Sequence, residues 1–96
     1  MEDNTLWYLI LGTRGGPTRL QILSMISLRP YNANQIARLV GLDYKTVTRH
    51  LEVLKENGLL ALAKEKRYGE LYYLTEYAKS ELKKFEPIIK KLDELG

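Results

Sequence analysis

Apolar positions follow a helical rhythm along most of this chain and switch to alternation in one stretch. Ile36, Ala37 and Val40 recur at offsets of one and four, which gathers them on one helical face. Gly41 follows at once, and glycine stops a helix readily because it enters the left-handed conformation without steric penalty. Leu42 is expected to plug the turn with an apolar side chain, and Asp43 to cap a second helix by accepting from its free first-turn amides. In that second helix Val47, Leu51 and Leu54 stand at i, i+4 and i+7, a narrow stripe that must pack against the first helix. Asn57 and Gly58 close it, so the pattern predicts a helix over 44–57.

Residues 59–74, LLALAKEKRYGELYYL, break the helical spacing. Two apolar runs with alternating leucines flank a polar tip at 64–70, Tyr72 and Tyr73 favour strand, and Gly69 suits a turn that needs positive φ. A hairpin is expected here. On the N-terminal side, Pro17 after Gly15 and Gly16 marks a helix start, since a first-turn residue needs no amide donor. Leu20, Leu23 and Ile26 give that helix a buried face, and Arg29 with Pro30 ends it. Residues 5–11, TLWYLIL, are apolar on nearly all sides and predict a helix that a chain this small can hardly bury alone. At the C-terminal end Thr75 is an N-cap candidate. Ala78, Leu82, Phe85, Ile89 and Leu92 then follow at spacings of four and three, a coiled-coil seam interrupted by Pro87, which is expected to kink or split the helix after Glu86.

The polar face of the 44–57 helix carries the chemistry. Tyr44, Lys45, Thr46, Thr48 and Arg49 place one guanidinium, one ammonium, two hydroxyls and a phenol within two turns, on the side away from the apolar stripe. An arginine fork matches the two major-groove acceptors of guanine, while lysine, threonine and tyrosine suit phosphates or base edges. Two helices joined by a tight glycine turn, with such a face on the second, have the form of a DNA-reading helix-turn-helix. The same pattern also fits an ordinary helical hairpin with a solvated charged face. The hairpin that follows shifts the balance, because Lys64, Lys66 and Arg67 near its tip suit phosphates or a narrow minor groove beside the second helix. Asn34, at the start of the first helix, completes the candidate set.

These segments resemble the winged helix-turn-helix regulators of the ArsR/SmtB type and their archaeal relatives. The likeness runs through PTRLQIL at 17–23, the QIARLVGLDYKTVTRHLEVLKENGLL core and the YYLT that ends the hairpin, and TVTRHLEVLKENGL is its most specific part. The resemblance implies a mainly α fold with a small β-hairpin, and a homodimer in which Lys45, Thr46, Thr48, Arg49 and His50 face DNA. Many members of that family sense metals. This chain departs from them: it has no cysteine, so a thiolate site for a soft metal cannot be built, and its one histidine, His50, has no local carboxylate cluster. His50 is expected either to pack at the helix edge or to contact DNA. No metal and no cofactor is expected.

Ninety-six residues make one domain, here 1–15 as an interface segment, 16–74 as the winged-helix core and 75–96 as a C-terminal helix. So small a domain leaves much apolar surface uncovered, which dimerisation would bury. Trp7, Tyr8 and Ile10 of the first helix, with Leu82, Phe85, Ile89 and Leu92 of the last, are the expected dimer contacts, with aromatic anchors leading. The alternative for the first helix is a plain core role. A twofold pairing would set two recognition helices roughly 34 Å apart, and the DNA site would then be palindromic. The formal net charge is +3, and residues 32–74 carry seven Lys/Arg against five Asp/Glu, an excess that permits attraction to phosphate without proving it.

No secretory leader or membrane span is apparent, and a cytoplasmic location is expected. No nucleophile stands with a base at motif spacing, and LGTRGGPT lacks the lysine and hydroxyl pair of a phosphate loop, so no enzymatic activity is expected. Two readings follow: a homodimeric, sequence-specific regulator with helix 44–57 in the major groove and wing 64–70 on adjacent backbone or minor groove, or a winged-helix module that docks another protein and never meets DNA.

Overall fold

A computed structural model describes the backbone of residues 4–95 and the side chains of 4–87 and 94. Five helices and one hairpin follow in the order α1 (Thr5–Leu11), α2 (Gly16–Leu28), α3 (Ala33–Val40), α4 (Tyr44–Glu56), β1 (Leu60–Glu65), β2 (Gly69–Leu74) and α5 (Glu76–Leu95). The mainly α architecture with a small hairpin is the expected winged helix-turn-helix.

Local chemistry sets the boundaries. Asn32 and Gln35 form a reciprocal capping box on α3, each side chain taking the other's backbone amide at 2.8 Å. Gly41 ends α3 at φ 74°, and Gly58 and Gly69 adopt the same left-handed region. Asp43 caps α4 as expected, accepting from the Thr46 amide at 3.0 Å and the Thr46 hydroxyl at 2.6 Å. Thr75 accepts from the Ala78 amide at 3.1 Å at the start of α5. Arg29 leaves α2 in an extended conformation ahead of Pro30.

Val47, Leu51 and Leu54 of α4 are fully buried and meet Ile36 of α3, Ile22 and Leu23 of α2, and Leu59 in one core. The hairpin pairs antiparallel from Leu60 opposite Leu74 to Glu65 opposite Gly69. Tyr31 adds a bridge to Tyr72 through bonds of 2.8 and 3.3 Å, so the segment before α3 lies along the outer edge of β2. Helix α1 packs on α2 so closely that a Cβ at Gly16 would stand 1.6 Å from the Ile10 carbonyl oxygen, and only glycine permits that approach.

Several expectations are revised. Leu42 is 38% exposed and stands outside the core that Ile36, Ala37 and Val47 share. Helix α5 runs unbroken through Pro87. The proline deprives the Lys83 carbonyl of its donor, and Lys83 is exposed enough for water to replace it. Ile10 and Phe85 are 6% and 3% exposed in the single chain, and Trp7 stacks on Phe85. Leu82 packs against the same core. Four of the expected dimer contacts, Trp7, Ile10, Leu82 and Phe85, are therefore covered wholly or in part within the single chain, and the stack of Trp7 on Phe85 joins α1 to α5. Tyr8 remains 64% exposed, and Leu11, which sequence reasoning did not single out, is 68% exposed. Ile89 and Leu92 lie outside the described side chains.

Candidate nucleic-acid interface

The N-terminal half of α4 turns its chemistry outward. Tyr44 is 54% exposed, Lys45 and Arg49 are exposed, and the buried Val47–Leu51–Leu54 stripe fixes the helix beneath them. The C-terminal half mixes signs, with Glu52, Lys55 and Glu56 exposed and Lys55 Nζ 3.8 Å from Glu52. Net positive charge therefore concentrates on the first two turns, and phosphate is favoured there. Thr46 and Thr48 are half-buried. The Thr46 hydroxyl donates to Asp43 and the Thr48 hydroxyl to the Lys45 carbonyl at 3.0 Å, so both groups shape the helix start and keep only lone pairs for a ligand. The two bonds from Thr46 hold the Asp43 carboxyl below its usual range, so it is charged at neutral pH.

His50 departs from this face. It stands three residues after Val47 and four before Leu54, on the edge of the buried stripe, and its ring lies against the loop between α1 and α2: a Cβ at Gly15 would come 2.5 Å from His50 Cε1. Burial first, then the guanidinium groups of Arg19 and Arg49, lower its pKa, and its buried Nδ1 has no hydrogen-bond partner. Arg19 reaches the Leu9 carbonyl at 3.1 Å and also donates to the Thr13 hydroxyl. His50 thus belongs to a cluster that joins α4 to the α1–α2 loop. Its i+3 spacing from Val47 was the signal for that inward placement; nothing in the sequence pointed to Arg19.

Across from α4, the wing presents Lys64, Lys66 and Arg67, all exposed. The strands extend further than expected, so the turn is only 66–68 and Lys64 sits within β1, directly opposite Glu70. Of the three expected wing cations, Lys66 and Arg67 lie in the turn itself, beside Tyr68. Between wing and helix lies a cleft of about 260 Å³, where Asn34 and Tyr44 face Tyr68 and Glu70. Tyr72 lines the same cleft; burial, followed by the nearby Glu52 and Glu70 carboxylates, raises its pKa and keeps its phenol neutral. The structure therefore brings Asn34 and Tyr44 to the cleft that the wing borders, leaves Lys45 and Arg49 exposed on the first two turns of α4, and sets His50 against the α1–α2 loop.

Among the described residues no group of three or more His, Asp or Glu side chains could hold a metal ion, and no helix is long and apolar enough to cross a membrane.

Residues 16–62 match the family model described as bacterial regulatory protein, arsR family. No curated protein matches the sequence. Among solved structures, a MarR family transcriptional regulator from Silicibacter pomeroyi is similar at 22% identity and a TM-score of 0.78, over 94% of this chain and 62% of that one. A transcriptional regulator homologue from Pyrococcus horikoshii aligns at 24% identity and a TM-score of 0.72, covering 94% and 95% of the two chains. HlyU from Vibrio cholerae aligns at 23% identity and a TM-score of 0.67, covering 92% and 97%. The chain thus spans less than two thirds of the MarR family protein and nearly all of the other two. At these identities the likeness establishes the fold, and the family model adds the helix-turn-helix itself. Residues 16–62 are thus similar to the arsR-family helix-turn-helix, and the chain has the winged helix-turn-helix fold that these transcriptional regulators share.

Proposed function

We propose that this protein binds double-stranded DNA as a homodimeric transcriptional regulator, with α4 in the major groove and the wing on the neighbouring backbone or minor groove. One observation carries the reading: Tyr44, Lys45 and Arg49 project from the start of a helix whose opposite side is fully buried, so a rigid cationic edge is presented without further rearrangement. Arg49 is the base-reading candidate, because its planar fork fits guanine O6 and N7, and Lys45, Lys66 and Arg67 address phosphates. Asn34 and Tyr44 border the cleft towards the wing and contact sugar or phosphate at its mouth. The protein works without metal or cofactor and catalyses no reaction.

Dimerisation is part of the proposal. Tyr8 and Leu11 leave an apolar patch on α1, and apolar surface so exposed favours a second copy over water. A twofold dimer reads a palindromic site. Selection of bound duplexes from a random pool tests the whole reading, since recovered sites report binding, symmetry and half-site spacing together. A titration with random duplex at low and raised salt gives the opposing outcome: affinity that ignores salt, or no binding, favours a module that docks a protein through α4. Glutamate at Leu11 is expected to halve the sedimenting mass with the helical content retained.

A further inference from the structure

The wing tip has little packing to hold it in place. Every side chain from Lys64 to Glu70 is exposed, and the nearest buried anchor of the hairpin is Tyr72. Its place is fixed instead by polar bonds to the segment before α3. Tyr31 bridges Tyr72. One residue on, Asn32 uses both ends of its amide: Oδ1 accepts from the Gln35 amide at 2.8 Å and caps α3, while Nδ2 donates to the Tyr68 carbonyl, in the wing turn, at 3.2 Å. One planar group thus connects the start of the helix-turn-helix to the turn that carries Lys66 and Arg67.

We infer that Asn32 is a positioning residue that sets the wing relative to the recognition helix, so that Lys66 and Arg67 meet the DNA backbone at a fixed offset from Arg49. The inference rests on the DNA-binding reading above and deepens it. The bond to Tyr68 is exposed to solvent and contributes little to overall stability. Its effect is to narrow the range of wing positions, which raises the chance that both tip cations reach phosphates at once. Because the amide has two distinct ends, the capping and positioning roles can be separated by substitution.

Asn32→Ser performs that separation. Serine is a good N-cap, adds no charge, and is too short to reach Tyr68, whereas Asn32→Ala removes both bonds. The experiment measures backbone ¹⁵N relaxation of the free full chain at 66–68, thermal stability, and the salt dependence of binding to a selected duplex. We expect Asn32→Ser to keep the parent's melting behaviour and lower the order of 66–68. It should weaken duplex binding about twofold and flatten the salt slope by a fraction of a unit, as the tip cations reach their phosphates less often. Arg67→Ala should then cost less in the Asn32→Ser background than in the parent.

Unchanged relaxation at 66–68 would overturn the tie itself. A loosened wing with an unaltered salt slope and affinity would overturn its role in DNA contact. If the parent shows no salt-sensitive DNA binding, the functional reading fails on its own account, and the relaxation data still decide whether Asn32 holds the wing.

Discussion

The Trp7 indole lies stacked on the Phe85 ring, with centroids 4.1 Å apart and planes 26° from parallel. This contact closes the first helix onto the last within one chain, and it explains why two aromatics that look like interface anchors in the sequence are occupied before any partner arrives. Replacing Phe85 by alanine should destabilise the fold by about 3–5 kcal/mol, through lost transfer energy and the cavity left under Trp7. Urea unfolding with tryptophan fluorescence as the signal measures it. A cost below about 1 kcal/mol would show that the stack is not part of the core.

Gly16 sits where α1 and α2 approach most closely. Alanine there would place its Cβ 1.6 Å from a backbone oxygen of Ile10, and backbone cannot swing aside as a side chain can. The loss should fall at the upper end of single substitutions, about 4 kcal/mol. Gly15→Ala meets the His50 ring instead, which can rotate, so its cost should be smaller. Parallel thermal melts of the two variants give the comparison, and equal losses would count against it.

His50 links pH to stability. Burial, Arg19 and Arg49 all disfavour its charged form, so its folded pKa lies below the unfolded value of 6.5. The unfolded chain then binds more protons in the window between the two, and stability falls as pH drops through 6.5 until the folded-state pKa has been passed. Above 6.5 the neutral ring costs nothing. Melting temperature followed from pH 7.5 to pH 5 should decline more in the parent than in His50→Gln, and identical profiles would contradict the assigned environment.

Arg49 and Arg67 should separate by mechanism. Arg49→Ala is expected to weaken a selected site by about 1–3 kcal/mol while sparing random duplex, because only a base contact distinguishes the two. Arg67→Ala should weaken both alike and reduce the salt slope by about one. Paired titrations at several salt concentrations check this. If both variants bound the selected site as tightly as the parent, the assigned roles would be wrong.

The helix-turn-helix was readable because its signals are local. The Val47, Leu51 and Leu54 stripe, the Asp43 cap and the Gly41 stop all act within a few residues of one another, and each behaves as its spacing implied. The Asn32 and Gln35 capping box is equally local, and it starts α3 at Ala33, one residue before the expected Asn34. The edge placement of His50, one of the two expected for it, follows from the i, i+3, i+4, i+7 set that it completes with Val47, Leu51 and Leu54.

What sequence alone determined, then, is element type, the sequence of elements and which face of α4 is apolar, because propensity, caps and hydrophobic period are properties of neighbours along the chain. Which apolar groups stay exposed was decided by tertiary structure. Trp7 and Phe85 are 78 positions apart, and only their meeting removes them from the surface and leaves Tyr8 and Leu11 upon it. The same holds for the bond from Asn32 to Tyr68, 36 residues away: an exposed polar side chain carries no periodic trace of its partner, so the wing's placement is written in packing and hydrogen bonding between distant segments.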